Sequence, residues 1–270
     1  MISRGAKRAR GLTDYDWDAL ARSWANGSRH RLWRDHSDAV NTALLKSWLP
    51  KRPVERVLKT DAFDEAVTAG VYPALARYAH EVYSIDVATE ALRAARARYG
   101  KLRTLTGDVR AVPCRAGSFD VIVSLSTLDH FDDVNDLHAA VGELARVLSA
   151  GGQLILTLDN LMNPLVALRA VLPYRLLNRL GVLPYPVGVS CGPFRLRSIV
   201  EEAGLTVVKH RAIIHCPRVL AVHVARGLER IAGPRTQRTF LRWLAATEVL
   251  DRLPTRYLTG HFIALLAVKR

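Results

Sequence analysis

The sequence predicts an α/β protein built on a doubly wound, mostly parallel sheet of seven strands with helices on both faces. Three observations carry this reading. Between Val54 and Asn160, short apolar runs of strand length alternate with helical patterns. Gly and Pro punctuate the joints between them, as at Pro53, Gly100 and Gly151-Gly152. Two further strand-like runs, Leu205 to Ile214 and His261 to Lys269, close the chain. At 270 residues and 49% hydrophobic, the chain is long enough to bury one large core.

The elements follow in order. Asp14 to Leu49 carries apolar and aromatic residues at helical spacing, interrupted at Asn26-Gly27, which predicts two helices ending before Pro50 and Pro53. Strands are predicted over Val54–Leu58, Val82–Ile85, Leu102–Leu105, Phe119–Ser124 and Gln153–Leu158. Helices are predicted over Ala74–Tyr78, over the Ala/Arg-rich Ala88–Tyr99 stopped by Gly100, and from about Val134 to Leu148. Leu161 to Leu183 is apolar with Arg169, Arg175 and Arg179 interspersed and is broken by Pro164, Pro173 and Gly181, so two short amphipathic helices are expected there. A turn at Tyr185, Pro186 and Gly188 precedes a helix near Leu196 to Glu202.

His261 to Lys269 is the last predicted strand. The connection before it, with helices over Val219–Ile231 and about Thr236–Leu250, is longer than such links usually are, which argues for a second substrate-facing or homodimer-forming insertion. One domain is expected: a helical extension over 1–53, a core over 54–160, and a C-terminal part over 161–270 with a lid at about 161–195 and a helical insertion at about 217–258.

The formal net charge of +14 is unevenly spread. Residues 1–160 hold 22 Lys and Arg against 20 Asp and Glu, whereas residues 161–270 hold 17 against 5. Such a surplus suits an anionic substrate, an anionic membrane surface or nucleic acid, and equally a solvated set of helix faces. Cys114, Cys191 and Cys216 lie far apart with no Cys-x-x-Cys pair, which suggests neither a disulfide framework nor a thiolate zinc site. No apolar stretch reaches transmembrane length and MISRGAKRAR lacks the apolar segment of a secretory signal, so a cytoplasmic protein is expected, soluble or peripheral at the inner membrane surface. His210, His215, Cys216, His223 and His261 match no compact metal motif.

Ligands of doubly wound sheets bind at the carboxyl ends of the strands, where strand order reverses. Thr104 to Asn160 reads TLTGDVRAVPCRAGSFDVIVSLSTLDHF, then a helical stretch, then ELARVLSAGGQLILTLDN. This run resembles the second half of the Rossmann-like core of class I S-adenosylmethionine (SAM)-dependent methyltransferases, of the type 11-like group. The resemblance implies SAM as cofactor and methyl transfer to oxygen, nitrogen or carbon of a small metabolite. It places Asp86 on the ribose hydroxyls with Val87 beside it, a task suited to two anionic oxygens, although Asp is also a common helix N-cap. It places Asp108 on the adenine amine, Val109 beside the ring, and Ser124 at the end of the fourth strand against the cofactor. Ser126, Thr127, Asp129 and His130 would form the floor between cofactor and acceptor, with His130 able to take the acceptor's proton.

One stretch departs from that family. Its members carry an acidic residue and Gly-x-Gly-x-Gly after the first strand, where backbone passes close to the methionine part of SAM. Here Lys59 falls on the acidic place and Asp61, Phe63 and Glu65 on the three glycine places, and Gly70 comes too late. Two readings stand. In one, polar residues replace the backbone contacts, with Lys59 or Thr60 on the methionine carboxylate and Asp61 or Glu65 on its ammonium. In the other, the protein is a non-methylating member of the fold, with another reaction or a ligand-binding role.

The lid is either an ordinary cover or a greasy, cationic one for a hydrophobic, lipid-like acceptor. The base-amine signature Asn/Asp-Pro-Pro-aromatic is absent after the fourth strand, and no basic-aromatic stripe is evident, so specific nucleic-acid binding is not expected.

Overall fold

The computed structural model describes residues 15–25, 30–183 and 187–270. MISRGAKRAR, Asn26-Gly27, and Tyr185 and Pro186 of the expected turn lie outside the described residues.

The elements run α1 (Trp17–Ala25), α2 (Arg31–Trp48), β1 (Val54–Lys59), α3 (Phe63–Val67), α4 (Tyr72–Leu75), β2 (Ala79–Asp86), α5 (Thr89–Arg98), β3 (Arg103–Thr106), β4 (Phe119–Leu125), α6 (Val134–Val147), β5 (Leu148–Asp159), α7 (Pro164–Val171), α8 (Tyr174–Arg179), α9 (Pro193–Glu202), β6 (Leu205–Ile213), α10 (Arg218–Ile231), α11 (Pro234–Ala246), α12 (Arg256–Thr259) and β7 (Phe262–Lys269). Short 3₁₀ turns cover Leu128–His130 and Thr247–Arg252. The expected strands and long helices are present, most with ends moved by one to three residues. The expected Ala74–Tyr78 helix instead starts at Tyr72 and ends at Leu75. The short helix α3, in the loop after β1, was not foreseen. The expected Gln153–Leu158 strand starts five residues earlier, passing through Gly151 at φ 74° beside a register shift opposite Phe119–Val121.

The sheet order is β3-β2-β1-β4-β5-β7-β6, with β7 antiparallel to both neighbours. Strand order reverses between β1 and β4, which are paired through Val57↔Val121 and Leu58↔Ile122. Side chains alternate across the sheet. Val57, Val121, Val123 and Ile155 face one core under α1, α2, α5 and α10, built with Leu32, Trp33, Leu45, Leu92 and Ala225. Leu58, Ile122, Leu154 and Leu156 face the other, under α6 and α9, with Leu137, Val141, Leu144 and Leu196. In α6 the buried set Leu137, Ala140, Val141 and Leu144 recurs at helical spacing, and the Asp133 side chain caps the helix by accepting from the Asn135 and Asp136 amides.

The N-terminal extension and the C-terminal insertion meet. The Leu32 amide at the start of α2 donates to Glu229 Oε1 of α10 at 2.7 Å, and Arg31 donates to Gln237 Oε1 of α11 at 2.6 Å. α2 and the start of α10 therefore cover the carboxyl side of the sheet together. Among the described residues, no helix is long and apolar enough to cross a membrane.

Candidate functional site

A cleft of about 1300 Å³ opens at the carboxyl ends of β1 to β5. Its floor is made by the loops after β1, β2, β3 and β4, and its roof by α1, α7, α8 and the start of α10. Single-ligand pockets run to about 1000 Å³, so this one has room for two small molecules side by side.

The loop after β1 is a self-contained ionic knot. Lys59 Nζ lies 2.7 Å from Asp61 Oδ1 and 3.0 Å from Glu65 Oε2, and it also donates to the Asp61 carbonyl. Glu65 Oε1 accepts from the Val71 and Tyr72 amides at the start of α4. Burial opposes the Lys59 charge, but the Asp61, Glu65 and Asp64 carboxylates outweigh it and hold the ammonium above its usual range. Burial pushes Glu65 up, against the pull of Lys59. Gly70, at φ 57°, is required here, because a Cβ on it would strike the Glu65 carboxylate.

The expectation that Lys59 and Glu65 meet a ligand is therefore corrected. Both are buried, both are spent on each other, and neither lines the cleft. Ser124 is corrected too: it is fully buried, with its hydroxyl 2.9 Å from Thr60 Oγ1. Thr60 and Asp61 do reach the cleft. Thr60 Oγ1 is 2.9 Å from Thr127 Oγ1, which donates to Asp61 Oδ2 at 3.0 Å, so the loops after β1 and β4 are tied together. Phe63 lies against Arg34, whose guanidinium sits 5.0 Å from its ring centre and 4.7 Å from that of Trp24.

Asp86 closes β2 and faces the cleft. Its Oδ1 accepts from the Ala88 amide at 2.8 Å and its Oδ2 from the Ala62 amide at 2.9 Å. It therefore makes the local turn bond and also bridges to the β1 loop, and one lone pair on each oxygen is left over. Burial pushes its carboxyl up to about 6, against the two amides. Val87 is half-exposed beside it, and Val109 is buried on the neighbouring wall.

Asp108 also lines the cleft, but Arg110 grips it from one side, Nη2 to Oδ2 at 2.6 Å, while Nη1 reaches Asp136 at 2.7 Å. Burial would raise the Asp108 carboxyl, and Arg110 overrides it and holds it down.

After β4 the backbone turns sharply at Ser126, a non-glycine residue at φ 52°. Positive φ costs a side chain of this kind energy and commonly marks a functional turn. The Ser126 amide donates to Thr157 Oγ1, and its hydroxyl donates to Asp129 Oδ2 at 2.6 Å. Asp129 is buried and does not reach the cleft, which corrects its placement at the reacting centre. It stands behind His130, with Oδ1 3.7 Å from His130 Nε2. Burial pushes Asp129 up, His130 pulls it down and Asp159 raises it. His130 lines the cleft and packs on Trp17 of α1, ring centres 4.9 Å apart.

The sequence reading missed Trp17, Arg34, Arg218 and the role of Asp159. Nothing local marks them, because they come together only when α1, α2, α7 and α10 fold over the strand ends.

Residues 66–156 match the family model described as "Methyltransferase domain". That match covers the stretch from α3 into β5, and this part of the chain is similar to a methyltransferase domain. Over 119 residues it is 30% identical to EEF1A lysine methyltransferase 4 of Bos taurus, covering 38% of this chain and 46% of that protein. The chain thus spans under half the length of that curated relative. An SAM-dependent methyltransferase from Thermotoga maritima shares the fold at a TM-score of 0.58 and 16% identity, with 95% of this chain and 100% of that one covered. Geranyl diphosphate C-methyltransferase from Streptomyces coelicolor, solved with Mg²⁺, geranyl diphosphate and S-adenosyl-L-homocysteine, shares it at 0.55 and 11%, covering 86% and 79%. These two likenesses speak to the fold.

Proposed function

We propose that this protein transfers the methyl group of SAM to a small acceptor that is hydrophobic or anionic. The observation that carries the reading is Asp86, a half-buried carboxylate at the end of β2 that lines a cleft with room for cofactor and acceptor together and keeps a spare lone pair on each oxygen. The missing glycines are compatible with it. Glu65 turns its side chain inward onto Lys59, and Asp61 is held against Lys59 and Thr127, so both side chains are tied down within the protein.

When bound, SAM supplies an electrophilic methyl group on a sulfonium. The protein's part is alignment and desolvation. Asp86 holds the ribose hydroxyls, and Val87, Asp108 and Val109 form the walls on either side of the adenine. Thr60 and Asp61 face the amino-acid end. His130 takes the proton released by the acceptor, with the Asp129 carboxyl buried behind it at 3.7 Å and Trp17 packed on the ring. The lid residues Leu165, Leu168, Leu172 and Leu177 line the roof and favour an apolar acceptor body. Val171 does not line the cleft and is exposed in the same lid segment that carries Arg175 and Arg179, which supports a peripheral approach to an anionic bilayer.

Calorimetric titration with SAM and with S-adenosylhomocysteine tests the reading. Micromolar binding of either is expected. No heat from either at millimolar ligand would overturn it.

A further inference from the structure

At the end of β5, buried Asp159 holds Arg169 of the lid, Oδ2 to Nη2 at 2.6 Å. The Arg169 side chain is 9% exposed and lines the cleft. Its Nη2 also donates to Ser190 Oγ at 3.1 Å, whereas Nη1 is buried with no hydrogen-bond partner.

Across the same carboxylate, His261 Nε2 lies 3.3 Å from Asp159 Oδ1 and 3.2 Å from Arg218 Nη1. A single imidazole nitrogen cannot serve both. As a donor to Asp159 it has no lone pair for the Arg218 N–H; as an acceptor from Arg218 it has no hydrogen for Asp159. Burial pushes His261 down, with Arg218 and Arg169 adding to that against the pull of Asp159, which favours the neutral ring. Two guanidiniums then face Asp159, and because burial pushes the neighbouring Asp129 carboxyl up toward its neutral form, the cluster holds positive charge in excess. Charge enclosed in this way calls for a partner.

The surroundings point the same way. α10 begins at Arg218 with no side-chain cap, so the positive end of its dipole adds to the field where Arg218, Val219 and Leu220 line the cleft. Leu165, Leu168, Leu172 and Leu177 of the lid continue the wall away from the charges.

We propose that Arg169 and Arg218 receive the anionic head of an amphiphilic acceptor, a carboxylate or phosphate carried on an apolar tail that lies under α7 and α8. The proposal rests on the methyltransferase reading for calling this molecule the acceptor, but its binding chemistry stands on the Asp159 cluster alone.

The test is calorimetric titration of the full chain with decanoate, decyl phosphate and decanol, each below its aggregation threshold. At least one of the two anions should bind about tenfold or more tighter than the alcohol, and the better of the two names the head group. Arg218→Gln, a change at a half-buried position, should cost that anion about tenfold and leave decanol unchanged. Arg169→Lys, which keeps the charge but loses the fork, should weaken the anion as well. Equal affinity for anion and alcohol, an anion affinity indifferent to Arg218→Gln, or no binding of any of the three overturns the proposal. S-adenosylhomocysteine titrated in parallel separates the two readings. Its binding without the amphiphiles removes this inference alone, and the amphiphiles binding without it removes the methyl-transfer reading alone.

Discussion

Lys59 and Glu65 form an enclosed ion pair, Nζ to Oε2 at 3.0 Å, with side chains 3% and 1% exposed. It stands where relatives of this fold place a glycine loop, and it converts a cofactor-facing segment into a strut between β1 and α4. Removing one member of a buried pair leaves an uncompensated charge and costs about 3–5 kcal/mol. Glu65→Ala should fall at the lower end of that range, since Asp61 still faces Lys59, and should shift the urea midpoint accordingly. A loss below about 1 kcal/mol would show that water reaches Lys59.

Asp38 sets a pH dependence of stability. It accepts from Thr68 Oγ1 and the Gly70 amide, both at 3.1 Å, and faces Asp64, Glu65 and Arg34. Burial, then the Asp64 charge, push its carboxyl up to about 7. Folding therefore takes up a proton between the unfolded value of 3.8 and about 7, so this contribution is full below 3.8 and is lost as pH rises through about 7. Asp38→Asn keeps both acceptor bonds, should flatten this slope, and should raise the urea midpoint relative to the parent above neutral pH. An unchanged slope would refute the assignment.

Asp86 is the strongest single determinant of cofactor affinity in the proposed function. Asp86→Ala should weaken S-adenosylhomocysteine by about 1.5–3 kcal/mol, the worth of hydrogen bonds to a charged group. Because burial raises this carboxyl to about 6, affinity should also decline as pH falls through about 6 and the anionic acceptor is neutralised. Equal affinity of variant and parent would mean that the ribose sits elsewhere.

His130 and the cofactor contacts should separate kinetically. His130→Ala is expected to lower kcat about 100-fold, in the range of a positioned acid–base group, while S-adenosylhomocysteine affinity stays within about twofold. A kcat close to the parent's would reduce His130 to a packing partner of Trp17 and leave alignment as the source of rate.

Much of this was legible before folding because strand and helix periods are local. The core from Val54 to Leu158, the last strand and the two lid helices all follow from residues a few positions apart, whereas the last strand's antiparallel direction came from the family resemblance. The site was legible only where a residue's position on the sheet decides its direction. Asp86 and Asp108 end adjacent strands, and both reach the cleft. Spacing could not say which way the other polar residues turn: Lys59 and Glu65 turn inward onto each other, and Ser124 onto Thr60. Nor could it show that β5 and β7 set Asp159 opposite Phe262, which brings His261 beside a carboxylate about a hundred positions earlier.

The contact between α2 and α10 bears on how the protein is made. Leu32 and Glu229 are bonded across 197 positions, and Trp33, Leu44 and Leu45 are buried in the core that includes Ala221 and Ala225. A nascent chain emerging at about 5–20 residues per second carries α2 without these partners for about 10–40 seconds. The roof is therefore among the last parts to be completed on the ribosome. A molecule held under it must enter after synthesis, and a chain stalled before α10 would present an apolar helix to chaperones.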